Sequence, residues 1–320
     1  MKYQLLFDNF MDAVQAAAPK NKKPARVLAE ILNISIEAVY RRLRLEVPFS
    51  FAEIAAVSKH LGFSVDNIIY TDSGLDKPLH ISYMDCEDPV ICEYGLLERF
   101  INYLKEINKS NDSEVFYCMN TIPLTIYLKS EIVTRFFLFK WRYMFENNEN
   151  KVFLKDIIIP EKLKRLHQKL MEENCKVNRI SYIMDSKVVN SIATDIRFFS
   201  AINRITSENV KELKGELLNL IDYTEEMIGR NSWRDHSKLE FYISPMDLSN
   251  TYVYCKGKKS ELSLYRTFII NAIYTHDRKT CERTRKWIQS IRQSSTQISG
   301  SGEQHRIIYF NRQREIVNAI

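Results

Sequence analysis

Glu37, Tyr40, Arg41 and Arg44 recur at the i, i+3, i+4, i+7 spacing that lines up side chains on one stripe of a helix. Ile36, Val39 and Leu43 take the opposite, apolar face. A stripe of this kind can enter the major groove of a duplex. There an arginine fork holds a guanine by two hydrogen bonds, and a good pair discriminates by about 1–3 kcal/mol. Arg41 and Arg44 are the best suited to read bases, with Glu37 and Tyr40 beside them. Lys22, Lys23, Arg26, Ser35 and Arg42 are the candidate phosphate contacts; the first three lie before or within the first turn of the preceding helix, where a backbone would pass. Over residues 20–44 the cations Lys20, Lys22, Lys23, Arg26, Arg41, Arg42 and Arg44 face only Glu30 and Glu37, a local balance of +5. The whole chain of 320 residues carries only +6, so most of its net charge can be assigned to this segment.

The elements that must hold this stripe are legible on either side of it. Leu6, Phe7, Phe10, Val14 and Ala17 predict a helix over 3–17, after which Pro19 and the basic run to Pro24 break the pattern. Pro24 suits a first helical position, and Val27, Leu28, Ile31 and Leu32 form the stripe of a second helix. Asn33, which tolerates the left-handed conformation, marks its end. Ser35 caps a third helix running to about Arg44. Ser50 and Glu53 stand three apart, as the reciprocal capping box requires, and open a fourth helix that ends near Gly62. Ser64-Val65-Asp66 begins a short fifth. Two helices packed across so tight a turn need a small residue at their contact, which Ala29 supplies.

The remainder mixes types. Helices are expected over 90–108, 161–174, 187–202, 207–228 and 279–294. Strands are expected over 115–119, 179–184, 239–243, 251–255 and 306–310, and 264–274 fits either type. Gly and Pro number only 8 each, and the glycines form neither GxGxxG nor a P-loop, which excludes the common phosphate-cradling folds and favours helix. The six cysteines contain no CxxC pair and read as reduced, mostly buried thiols. No metal, cofactor or catalytic residue is expected; His167, His236 and His276 have no recognisable partner in sequence. No signal peptide or membrane span is expected either, which points to a cytoplasmic protein. The basic stretch 278–292 reads as a solvated helix face, and Ser294–Gly302 as an ordinary mobile loop. The 210–227 seam reads as intramolecular packing. Phe136, Phe137, Phe139, Trp141, Tyr143 and Phe145 read chiefly as core, with a ligand pocket as the other use of such residues.

Residues 24–70 resemble the helix-turn-helix regulators of the Cro/repressor type, often called Xre-like, common in bacteria and phages. The likeness rests on Ala29 in the scaffold helix, Asn33 at the turn, the Ser35-led helix and the closing LGFSVDNI segment. The tract Ala38-Val39-Tyr40-Arg41-Arg42-Leu43-Arg44 resembles regulators of Bacteroidetes-type bacteria that join such a domain to a larger, uncharacterised C-terminal region. The chain departs from the pattern at Asn33 and Leu45, where glycine is frequent, and at Arg42, where an apolar residue is common.

The expected architecture is an N-terminal all-α five-helix helix-turn-helix domain over 1–72, a linker over 73–88, and a larger, helix-rich α+β domain over 89–320. The resemblance implies a transcription regulator that binds double-stranded DNA as a homodimer. The C-terminal domain would then oligomerise or sense a small-molecule or protein effector. Two other classes remain open at this point: an interaction adaptor whose helix-turn-helix does not bind DNA, and an enzyme domain controlled by DNA binding.

Overall fold

A computed structural model describes residues 2–19, 21–69, 81–83, 89–145, 152–230, 238–258, 260–267, 269 and 271–320. The chain divides into two compact units, Met1–His80 and Ile81–Ile320.

The described part of the first unit is all helix: α1 (Lys2–Ala17), α2 (Pro24–Leu32), α3 (Ile36–Leu43), α4 (Phe51–Leu61) and α5 (Val65–Ile69). The sequence sets each boundary locally. Pro24 opens α2, because its missing N–H is one that a first turn leaves unpaired anyway. Ser35 caps α3 by accepting from the Ala38 amide at 3.2 Å. At α4 the Ser50 hydroxyl accepts from the Glu53 amide while the Glu53 carboxylate accepts from the Ser50 amide at 2.8 Å. Gly62, at φ 75°, ends α4 in the left-handed region that costs glycine nothing. The buried faces meet in one core of Phe10, Val14, Leu28, Val39, Val57 and Ile68, closed by Phe49, whose ring lies 5.2 Å from that of Phe10.

The second unit is α+β, as its mixed periodicity requires. In chain order it holds β1 (Ser82–Tyr83), α6 (Pro89–Ile107), β2 (Glu114–Met119), α7 (Leu124–Tyr127), α8 (Glu131–Phe145), α9 (Glu161–Asn174), β3 (Arg179–Met184), α10 (Asn190–Ala201) and α11 (Ser207–Arg230). There follow β4 (Lys238–Ile243), β5 (Tyr252–Lys256), β6 (Glu261–Thr267), β7 (Asn271–Thr275), α12 (Arg278–Ser294), β8 (Thr296–Gln297) and α13 (Glu303–Asn318). The eight described strands form one sheet in the order β1-β7-β6-β5-β2-β3-β4-β8. β2, β3 and β4 are parallel and joined through helices, whereas β5, β6 and β7 form an antiparallel meander. Strand alternation then decides which side chains meet which layer. Val115, Tyr117 and Met119 face the main core with α6 to α11 and α13; Phe116 and Cys118 face a smaller cluster under α12 with Tyr254, Cys281 and Ile288. In-register Tyr117, Tyr182 and Phe241 stack across the three parallel strands at 4.8 and 4.7 Å.

Several elements differ from expectation. Arg306–Phe310, expected as a strand, lies inside α13. Its apolar run is short enough to pass for a strand, but Tyr309, Phe310, Gln313 and Val317 are buried at helical spacing, and α13 packs on α11 and α10. The ambiguous 264–274 stretch resolves into β6, a turn and β7. Ser294–Gly302 is no loose loop: the Ile298 amide donates to the Phe241 carbonyl at 2.9 Å, and the Ser299 hydroxyl accepts from the Phe241 amide at 3.1 Å. A Cβ on Gly302 would stand 2.3 Å from the Gln297 carbonyl, so this return needs glycine. Most of the span expected as a linker lies outside the described residues, but Ser82–Tyr83 within it pairs with β7. The 210–227 seam packs inside the chain, with Leu213, Leu217, Leu220 and Thr224 buried against neighbouring helices. Phe136, Phe137, Phe139 and Trp141 are core, and Cys118, Cys255 and Cys281 are buried thiols without disulfides. Among the described residues no helix is long and apolar enough to cross a membrane.

Candidate nucleic-acid interface

The turn between α2 and α3 is built from backbone rather than glycine. Asn33 adopts φ 53°, ψ 47°, and the Asn33 and Ile34 amides both donate to the Ala29 carbonyl, the latter at 3.3 Å. This closes α2 within one residue and redirects the chain so that Ser35 can start α3. Val39, wholly buried, pins α3 to the core. The stripe named from spacing emerges opposite: Glu37, Tyr40, Arg41 and Arg44 are all exposed, Tyr40 at 44%.

Two of these arginines already share an acid. The Arg44 Nε stands 2.7 Å from one Glu46 oxygen, and the Arg41 Nε 3.6 Å from the other. Hydrogen bonding to Arg44 holds the Glu46 carboxyl below its usual range and raises the guanidinium correspondingly. Glu46 reaches both because Leu45 turns the chain at φ 61°, a left-handed conformation that costs a branched side chain energy. Sequence reading flagged Leu45 as a departure from glycine and missed Glu46, whose signal was its distance of two and five residues from the arginines.

The phosphate candidates fall into two groups. Lys22, Lys23 and Arg26 are exposed at the start of α2, with the Lys22 ammonium 2.8 Å from Glu30. Ser35 uses its oxygen to cap α3, which leaves its O–H proton as the part suited to a phosphate. Arg42 does something else. Its guanidinium grips Glu53 at 2.7 and 3.3 Å and also donates to the Ala38 carbonyl at 3.1 Å, with the side chains only 17% and 20% exposed. Burial alone would raise the Glu53 carboxyl, but hydrogen bonds from Arg42 and from the Ser50 amide outweigh it and hold the group below the ordinary value of 4.5. Arg42 thus joins α3 to the first turn of α4 and takes the inward position where an apolar residue is common. Lys20 lies outside the described residues. Phe51, 78% exposed two residues before Glu53, is an apolar contact that the sequence reading did not single out.

A comparison with known families adds one finding. Residues 4–92 match the family model described as the BetR domain. This is a helix-turn-helix-type domain of transcription regulators, so the N-terminal part of the chain is of a DNA-binding regulator type. The match starts inside α1, spans the whole stripe and turn, and stops in the first turn of α6, so of the sheet it covers only the two-residue β1. No curated protein and no solved structure matches the chain.

The basic stretch 278–292 belongs to α12, far along the chain. Arg278, Lys279, Arg283 and Lys286 are exposed, with Lys286 paired to Glu282 at 2.9 Å. Arg292 instead turns inward, 3.7 Å from the buried Glu240 and 5.1 Å from the Tyr242 ring centroid.

Proposed function

We propose that the chain is a sequence-specific DNA-binding transcription regulator of the Xre-like kind, which places α3 in the major groove. The observation that carries this reading is the exposure, on one face of a helix fixed by the Asn33 turn, of Glu37, Tyr40, Arg41 and Arg44, within the segment that matches the BetR domain. Arg41 and Arg44 read base edges, while Lys22, Lys23, Arg26 and the Ser35 hydroxyl hold phosphates. Arg42 is removed from that set, since its pair with Glu53 is part of the scaffold. On binding, Arg41 and Arg44 exchange Glu46 for base edges. Because the pairs with Glu46 are exposed, they oppose this exchange weakly.

One such module contacts few base pairs, so the protein acts as a cytoplasmic homodimer on two half-sites about 34 Å apart, one helical turn of duplex. The α+β unit serves dimerisation or effector sensing and carries no enzymatic step in this reading. Selection from randomised duplex tests the proposal. Enrichment of an inverted repeat with guanines in each half-site is the expected result. Recovery of no preferred sequence, together with unchanged migration of random duplex at low salt, would replace it with the adaptor reading.

A further inference from the structure

The α+β unit holds a cavity of about 70 Å³ between α6, α7 and strands β2, β5, β6 and β7. Its wall is mainly apolar, with Leu97, Phe100, Met119, Val253 and Leu264 among the lining residues. Two polar neighbours are already satisfied: the Tyr117 hydroxyl donates to Asn174 at 2.6 Å and the Thr251 hydroxyl to Asn120 at 2.9 Å. The charged group on the wall is Arg266, which shares the core-facing side of β6 with Leu262 and Leu264. No carboxylate lines the cavity among the described residues, although a half-buried guanidinium on an apolar wall is costly without an anionic partner.

Arg266 is also held in place. Its Nε donates to the carbonyl of Ile269, and its guanidinium carbon lies 5.7 Å from the centroid of the Phe137 ring. Ile269 sits at φ 77°, a conformation that a β-branched residue adopts only when its surroundings impose it. The turn between β6 and β7 thus keeps a strained residue whose carbonyl fixes Arg266, the one cation facing the cavity among the described residues.

We propose that this cavity binds a short aliphatic carboxylate, with its chain among Leu97, Phe100 and Leu264 and its two oxygens on the Arg266 fork. An arginine presents planar N–H pairs that match a carboxylate in just this manner. Its small volume, about 70 Å³, favours a short chain over a long one, so butyrate is the size probe and octanoate the long-chain comparison. As a binding site this rests on the cavity alone; as an effector site it also rests on the regulator reading.

The test titrates the full chain, without DNA, with sodium butyrate, butylamine, butan-1-ol and octanoate, followed by protein NMR and by the unfolding temperature. Butyrate is expected to shift methyl resonances of Leu97 and Leu264 and to raise the unfolding temperature, and each control should bind at least tenfold more weakly. Arg266→Gln should lose at least tenfold in butyrate affinity and Arg266→Lys less. Absence of butyrate binding, or butylamine binding as well as butyrate, overturns the proposal on the native chain alone, whether or not the variants fold. Equal butyrate affinity in folded Arg266→Gln overturns it too. Since no DNA is present, failure here and failure of the DNA-binding reading are seen separately.

Discussion

A single arginine can act as reader or as scaffold, and the residue decides which by what its guanidinium touches. Arg41 and Arg42 are neighbours in sequence, yet one is exposed and the other is clamped to Glu53. Arg41→Ala should relax base preference at one position per half-site. Lys23→Ala should instead weaken every duplex about equally and lower the salt slope by roughly 0.9, as one lost phosphate contact does. Competitive binding to the selected site and its single-base variants, over a salt series, separates the two. Arg42→Met should leave relative base preference intact while destabilising the helical unit by about 1–3 kcal/mol, because it leaves Glu53 partly buried without its cation. The pH dependence has a definite sign. The folded carboxyl of Glu53 is held below 4.5, so its contribution to stability is complete above that value and is lost as pH falls through the lowered one. Urea midpoints at pH 6 and pH 3.5 should therefore diverge less for Glu53→Gln than for the native chain.

At the scale of elements, α3 is bounded by two left-handed residues, Asn33 before it and Leu45 after it. Asparagine takes this conformation readily, whereas leucine pays about 1–2 kcal/mol for it. Leu45→Gly should consequently stabilise the helical unit by about 0.5–1 kcal/mol, less than the full strain because glycine is freer when unfolded. Thermal unfolding reads this directly. The strained turn brings Glu46 onto Arg41 and Arg44, so Glu46→Gln should raise affinity for duplex severalfold at low salt, an effect that fades as salt screens it. In the α+β unit, α11 buries one face, with Leu213, Leu217, Leu220, Ile221 and Thr224 turned inward. Leu217, wholly buried there, should cost about 2–5 kcal/mol when cut to alanine, measured by the denaturant midpoint.

For the whole molecule, a small reading unit joined to a larger α+β unit predicts a dimer on its DNA. Sedimentation should give twice the chain mass of 37.8 kDa on a selected site; a monomer both free and bound would remove the dimer from the proposal. What the sequence determined by itself is local. Pro24, the Ser50–Glu53 capping box, Asn33 and Gly62 fix helix ends through their own backbone and side-chain chemistry, and the apolar period fixes which face of α3 is left outward. Those features involve residues within about four of each other, so they survive translation into a string. The tertiary structure alone decided the rest. It put Arg42 against Glu53 and joined β5, β6 and β7 onto a parallel set formed earlier in the chain. It also made Arg306–Phe310 part of a helix, in which Tyr309, Phe310, Gln313 and Val317 are buried at helical spacing with α13 packed on α11 and α10. Contacts between residues distant in sequence depend on which surfaces meet once the core has closed. Spacing along the chain carries no record of that, and the cavity beside Arg266 exists only because four strands and two helices converge there.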